Sequence, residues 1–213
     1  MRIISRSIYQ AFGLVVLASV ALFSQVQAVV PSPDGAYPNF TTAEGQNALQ
    51  SLTSGAANTA LGAYSLFSTT TTSFNTAVGA GALDLNTGDL NTAVGVAALL
   101  LNTGTENTAV GVDALGLNTT GGFNAAVGAF ALYNNTTGLR NTAIGYDALF
   151  SNTEGGGNSA NGDEALNSNT TGGLNTANGF EALYSNSTGS FNTATGAAAL
   201  SDNTTGDFNT ANE

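Results

Sequence analysis

Four carboxylates come closest to a chemical constellation in this chain. Asp147, Glu164 and Glu181 recur at a spacing of 17 residues, and Asp163 lies beside the second of them. Residues at one position of a stacked repeat lie above one another, so these charges would repel, and a Ca²⁺ held by carboxylate oxygens would relieve the repulsion. The glycine- and aspartate-rich nonapeptide that builds such calcium sites is missing, so solvated acids are expected here and no metal ligand is assigned. Other chemistry is thinner still. The chain has no His and no Cys, and its basic residues are Arg2, Arg6 and Arg140. Ser and Thr therefore lack an activating base, and thiolate, Schiff-base and most transition-metal chemistry lacks its residues. The expectation is a protein that is not an enzyme, with no catalytic residue and no cofactor.

The element that positions these side chains is a repeat. A version of NTAxGxxALxxNTTGxF begins at Thr41, Asn58, Asn75, Asn91, Asn107, Asn124, Asn141, Asn158, Asn175 and Asn192, and an eleventh begins at Asn209. The spacing is 17 residues, or 16 for the units at Asn75 and Asn91, a period that marks a solenoid of stacked coils. Counting from the Asn, position 3 is Ala, position 5 Gly and position 9 Leu in all ten full units, and position 8 is Ala except at Ser65. Fixed small residues imply a narrow core, with Ala93, Ala98 and Leu99 inside one coil and Gly95 at a turn that a Cβ would obstruct.

Positions 1 to 5, such as Asn91 to Gly95, have strand character, and the NTTG or NTG segment supplies a turn. Positions 6 to 11, such as Tyr146 to Ser151, fit either a second short strand or one helical turn, and the second strand is the preferred reading. The fold class is all-β, a parallel β-solenoid or β-roll of about ten coils. Strands stacked at about 4.8 Å make it on the order of 50 Å long. The Asn column at position 1 is expected to fix turns and to bond amide to amide, in preference to forming a polar binding stripe.

With positions 3 and 5 inward, positions 2 and 4 face outward together. Position 4 reads Leu61, Val78, Val94, Val110, Val127 and Ile144, then switches to Asn161, Asn178, Thr195 and Asn212. The six apolar residues form a candidate interface with other copies of the chain. The competing expectation is that the strand faces the other way and position 4 is core.

Residues 1–28 read as a secretory signal peptide, from Arg2 and Arg6, the apolar run Ala11 to Phe23 and the small-residue end at Ala28. Residues 29–40, with Pro31, Pro33 and Pro38, read as an irregular segment or cap, and 41–213 as the repeat solenoid. No membrane span is expected after cleavage. Beyond residue 28 a single basic residue, Arg140, faces all 14 acids, a net charge of −13. That disfavours nucleic acid and anionic membrane surfaces as partners. Seven N-x-Ser/Thr sequons, at Asn39, Asn118, Asn134, Asn135, Asn169, Asn186 and Asn203, follow mostly from the turn composition. Phe74, Phe123, Phe191 and Phe208, at the last position of their coils, with Leu90 and Leu174, are expected to close the coil and pack on their neighbours, in preference to stacking on sugars.

The NTAVG, NTAIG and GYDAL segments resemble the head repeats of trimeric autotransporter adhesins and of related phage tail-fibre proteins, over Thr41 to Asn212. That resemblance implies a left-handed parallel β-roll, three chains side by side, and a surface that binds host or environmental molecules. It leaves open both a piece of a longer adhesin and a secreted protein without its own anchor. The Thr column at position 2, from Thr59 to Thr210 and interrupted at Ala125 and Ser159, is similar to the faces of ice-binding solenoids. The reading is thus an exported, adhesive or structural rod, secreted or at the cell surface. It is expected to be a homo-oligomer, with the trimer favoured over a head-to-tail fibre. A monomeric solenoid that binds ice or a polysaccharide is the alternative.

Overall fold

The computed structural model describes residues 38–212. The signal-peptide segment 1–28 and residues 29–37 of the next lie outside the described residues. A 3-10 turn at Pro38–Phe40 precedes eleven strands of three residues each: β1 (Thr42–Glu44), β2 (Thr59–Leu61), β3 (Thr76–Val78), β4 (Thr92–Val94), β5 (Thr108–Val110), β6 (Ala125–Val127), β7 (Thr142–Ile144), β8 (Ser159–Asn161), β9 (Thr176–Asn178), β10 (Thr193–Thr195) and β11 (Thr210–Asn212). Each pairs in parallel with the next in one sheet, in chain order. The chain is a parallel β-solenoid with one strand per coil. The 16-residue units keep the register, with Ala77 opposite Ala93 and Ala93 opposite Ala109. The residue they lack falls in the turn, where Asn86-Thr87-Gly88 replaces a four-residue NTTG.

Every coil contributes the same thin core. Ala93, Ala98 and Leu99 are fully buried, as are their counterparts from Ala60 to Ala199. Each leucine removed from water contributes about 1.5–3 kcal/mol. The position-5 glycine lets adjacent coils approach. At Gly62 φ is 136°, and a Cβ there would lie 2.6 Å from the carbonyl carbon of Gly79 in the next coil.

The second half of the coil is neither a second strand nor a helical turn. It is a run of tight turns. The position-8 N–H donates to the position-5 carbonyl, as from Ala82 to Gly79, and the position-12 N–H to the position-9 carbonyl, as from Asn118 to Leu115. Positions 7 and 9 are left-handed, with φ 55° at Ala97 and 51° at Leu99. Left-handed backbone costs a residue with a Cβ roughly 1–2 kcal/mol and rules out both regular conformations. The cost is offset because these N–H groups still bond between coils, Ala97 to the Ala80 carbonyl below and Leu99 to the Ala114 carbonyl above. Burial of the leucine side chain adds to that compensation.

Two asparagine columns complete the interior. At position 1 the side-chain oxygen accepts the backbone N–H of the next coil's Asn, as Asn58 Oδ1 does from Asn75 at 3.0 Å. Amide-to-amide bonding in that column is confined to Asn158, Asn175, Asn192 and Asn209, the last three donating. The continuous amide ladder stands at position 12 instead. Asn102 Nδ2 donates to Asn86 Oδ1 at 2.8 Å, Asn118 to Asn102 at 2.7 Å, and the series runs on to Asn203. The position-1 residues from Asn58 to Asn192 are essentially buried. Their column is structural and offers no binding stripe.

Candidate functional site

The outward face of the strands is where the coils differ. Burial alternates as the period-two pattern requires. In β4 Ala93 is buried while Thr92 and Val94 point out. Position 4 is therefore surface, with relative exposure from 36% at Leu61 to 44% at Ile144, and Val78 is half-buried. The six residues Leu61, Val78, Val94, Val110, Val127 and Ile144 form one column, because consecutive strands pair them directly. Position 6 also faces solvent, on the far side of the glycine, with Val96, Val112 and Tyr146 exposed. From Thr59 to Tyr146, positions 2, 4 and 6 carry no charged residue at all. The column continues into Asn161, Asn178, Thr195 and Asn212, and there the amide of Asn161 donates to Asn178 Oδ1 at 3.2 Å on the open surface.

The position-2 threonines share this outward face, with the gaps at Ala125 and Ser159 falling on β6 and β8. The carboxylates do not converge. Among the described residues no group of three His, Cys, Asp or Glu side chains is placed to hold a metal ion. The Asp147 carboxyl is held above the usual carboxylate range by partial desolvation, opposed by a hydrogen bond from Tyr146 and reinforced by the charge of Asp163. Asp84 is raised by desolvation alone, and its Oδ1 is buried without a hydrogen-bond partner.

The residues that end each coil sit outside it. Phe74, Phe123, Phe191 and Phe208 are left-handed and at least half exposed, so they do not close the coil. The expected packing along the column is present where neighbours allow it. Phe191 and Phe208 stack at 4.9 Å, and the Arg140 guanidinium lies 5.5 Å from the Phe123 ring. Four of the seven sequon asparagines, Asn118, Asn135, Asn169 and Asn186, are fully buried in the amide ladder and closed to glycosyl transfer once folded. The Asn134 amide is engaged with the Phe150 carbonyl at 3.0 Å.

Two features escaped the reading of the repeat. One is the unbroken absence of charge on positions 2, 4 and 6, visible only once position 6 is known to be exposed. The other is the sequence Tyr146, Asp163, Phe180 at position 6, which is plain only after alignment by coil. No protein-family model, curated protein or solved structure matches this chain.

Proposed function

We propose that this chain is an exported, non-enzymatic structural and adhesive repeat protein, a rod of several laterally associated copies at the cell surface or in the extracellular space. A trimer is the arrangement suggested by the resemblance to adhesin head repeats. The single observation that carries this reading is the uncharged outer face from Thr59 to Ile144, with its apolar column at position 4. The chain beyond residue 28 bears a net charge of −13, so a face that carries acidic residues brings carboxylates together when copies meet. Contact through the uncharged one does not.

A second consideration favours a copy of the chain as the partner. The column repeats at the spacing of stacked strands, about 4.8 Å, and another solenoid of the same repeat matches that spacing along its whole length.

The test is the solution mass by light scattering behind a sizing column, at several concentrations, for the natural chain and a Val94→Asp, Val110→Asp double variant. The expected result is a stable oligomer that becomes a folded monomer on substitution. A monomeric natural chain at every concentration would remove the interface.

A further inference from the structure

We propose that the strip from Tyr146 to Phe180, beginning where the apolar column ends, binds an extended, neutral, hydroxyl-rich polysaccharide. This rests on the adhesive reading above and names the class of ligand. Position 6 presents Tyr146, Asp163 and Phe180 in three consecutive coils, a ring, a carboxylate and a ring, aligned by the pairing of Ile144 with Asn161 and of Asn161 with Asn178. The rings stand two coils apart, about 10 Å at the spacing of stacked strands. That is close to the length of one disaccharide unit in an extended β-1,4-linked chain, so alternate sugars would each meet an aromatic face. Both rings are about half exposed. At the next coil position 6 is Ala197, too small to cover the Phe180 ring.

The position-4 column supplies hydrogen bonds. Gly162 and Gly179 stand between positions 4 and 6 in the chain and carry no side chain. The exposed residues at position 4 of these coils are Asn161 and Asn178. Their mutual hydrogen bond fixes one donor and one acceptor, which leaves the Asn178 amide protons and the Asn161 oxygen for a ligand. Sugar hydroxyls both donate and accept, so they can satisfy these groups together with the Asp163 carboxylate, while the C–H faces of the sugars cover the rings. An apolar protein patch would bury the same amides unpaired, at a cost for each. An anionic glycan would meet Asp163, Glu164 and Glu181. A surface this open gives weak contact per site, and several copies in one assembly would raise the effective strength.

The experiment is affinity electrophoresis of the chain in native gels cast with hydroxyethylcellulose, with glucomannan or with no polymer. Natural chain is expected to be retarded by at least one polymer. Phe180→Ala and Tyr146→Ala should each lose most of the retardation, and Phe123→Ala, off the strip, should keep it. Because these rings are exposed, unchanged circular dichroism is expected to show that the variants fold. No retardation by either polymer, or equal retardation of Phe180→Ala, overturns the proposal. So does capture of a lysine-rich peptide in place of the polymers, which would reassign the ring and acids to a basic partner. Light scattering on the same samples separates the two readings. Retardation without assembly leaves the strip standing alone, and assembly without retardation leaves the rod without this ligand.

Discussion

The six coils whose position 4 runs from Leu61 to Ile144 and those from Asn161 to Asn212 share one interior and differ at the surface. Below the sheet both repeat buried Ala and Leu, and the position-12 amide ladder passes from one region to the other without a break. Above it, one region is apolar and uncharged and the other carries exposed amides that bond to each other. The stacking of coils does not require that change, since either surface sits on the same core. On the proposed function, the difference belongs to what each region meets.

Core substitutions give the largest effect and test the sameness below. Leu115→Ala and Leu183→Ala each empty a fully buried site, and each is expected to cost about 2–5 kcal/mol in denaturant unfolding. The two values should agree, and a much smaller cost at Leu183 would mean that the polar region is packed more loosely. Next comes the difference above. Asn161→Val with Asn178→Val extends the apolar column by two coils, and is expected to lower the concentration needed for assembly by about tenfold, or 1.4 kcal/mol. The same variant should lose retardation by polysaccharide. Unchanged assembly would show that the column does not set the extent of contact.

The smallest effect concerns a charge in the first region. Desolvation raises the Asp84 carboxyl above its ordinary value. A raised folded-state value means that the folded chain binds its proton more readily than the unfolded one, so this group favours folding at low pH and that contribution is lost as pH rises through the folded value. Asp84→Asn should therefore raise the melting temperature at pH 7 by about 1–3 °C, a modest amount because the side chain is only partly buried. The advantage should vanish near pH 3, where the natural residue is protonated. A variant melting below the natural chain at pH 7 would show that the charge is stabilised by something other than its desolvated surroundings.

The interior was legible wherever one residue type recurs with one size. Ala at position 3 and Leu at position 9 declare a narrow core, and the outward direction of Val94 follows from its place beside Ala93. The turns were not legible, because Ala97 and Leu99 are not residues that announce left-handed backbone. Hydrogen bonds to the coils on either side hold them there against local preference, and a six-residue pattern contains no record of them. The site was half legible. The apolar column could be read from letters alone, whereas the strip from Tyr146 to Phe180 depends on position 6 being exposed where the chain leaves the strand.

The amide ladder also has a sense. From Asn203 to Asn102 every Nδ2 points toward the Oδ1 of the preceding coil, and at position 1 each backbone N–H from Asn75 onward points the same way. The dipoles therefore add head to tail, and each bond polarises the next. A coil that has just folded displays unused oxygens to the residues that follow it in the chain. The ladder is in this way directional, and its C-terminal end offers acceptors where its N-terminal end offers donors.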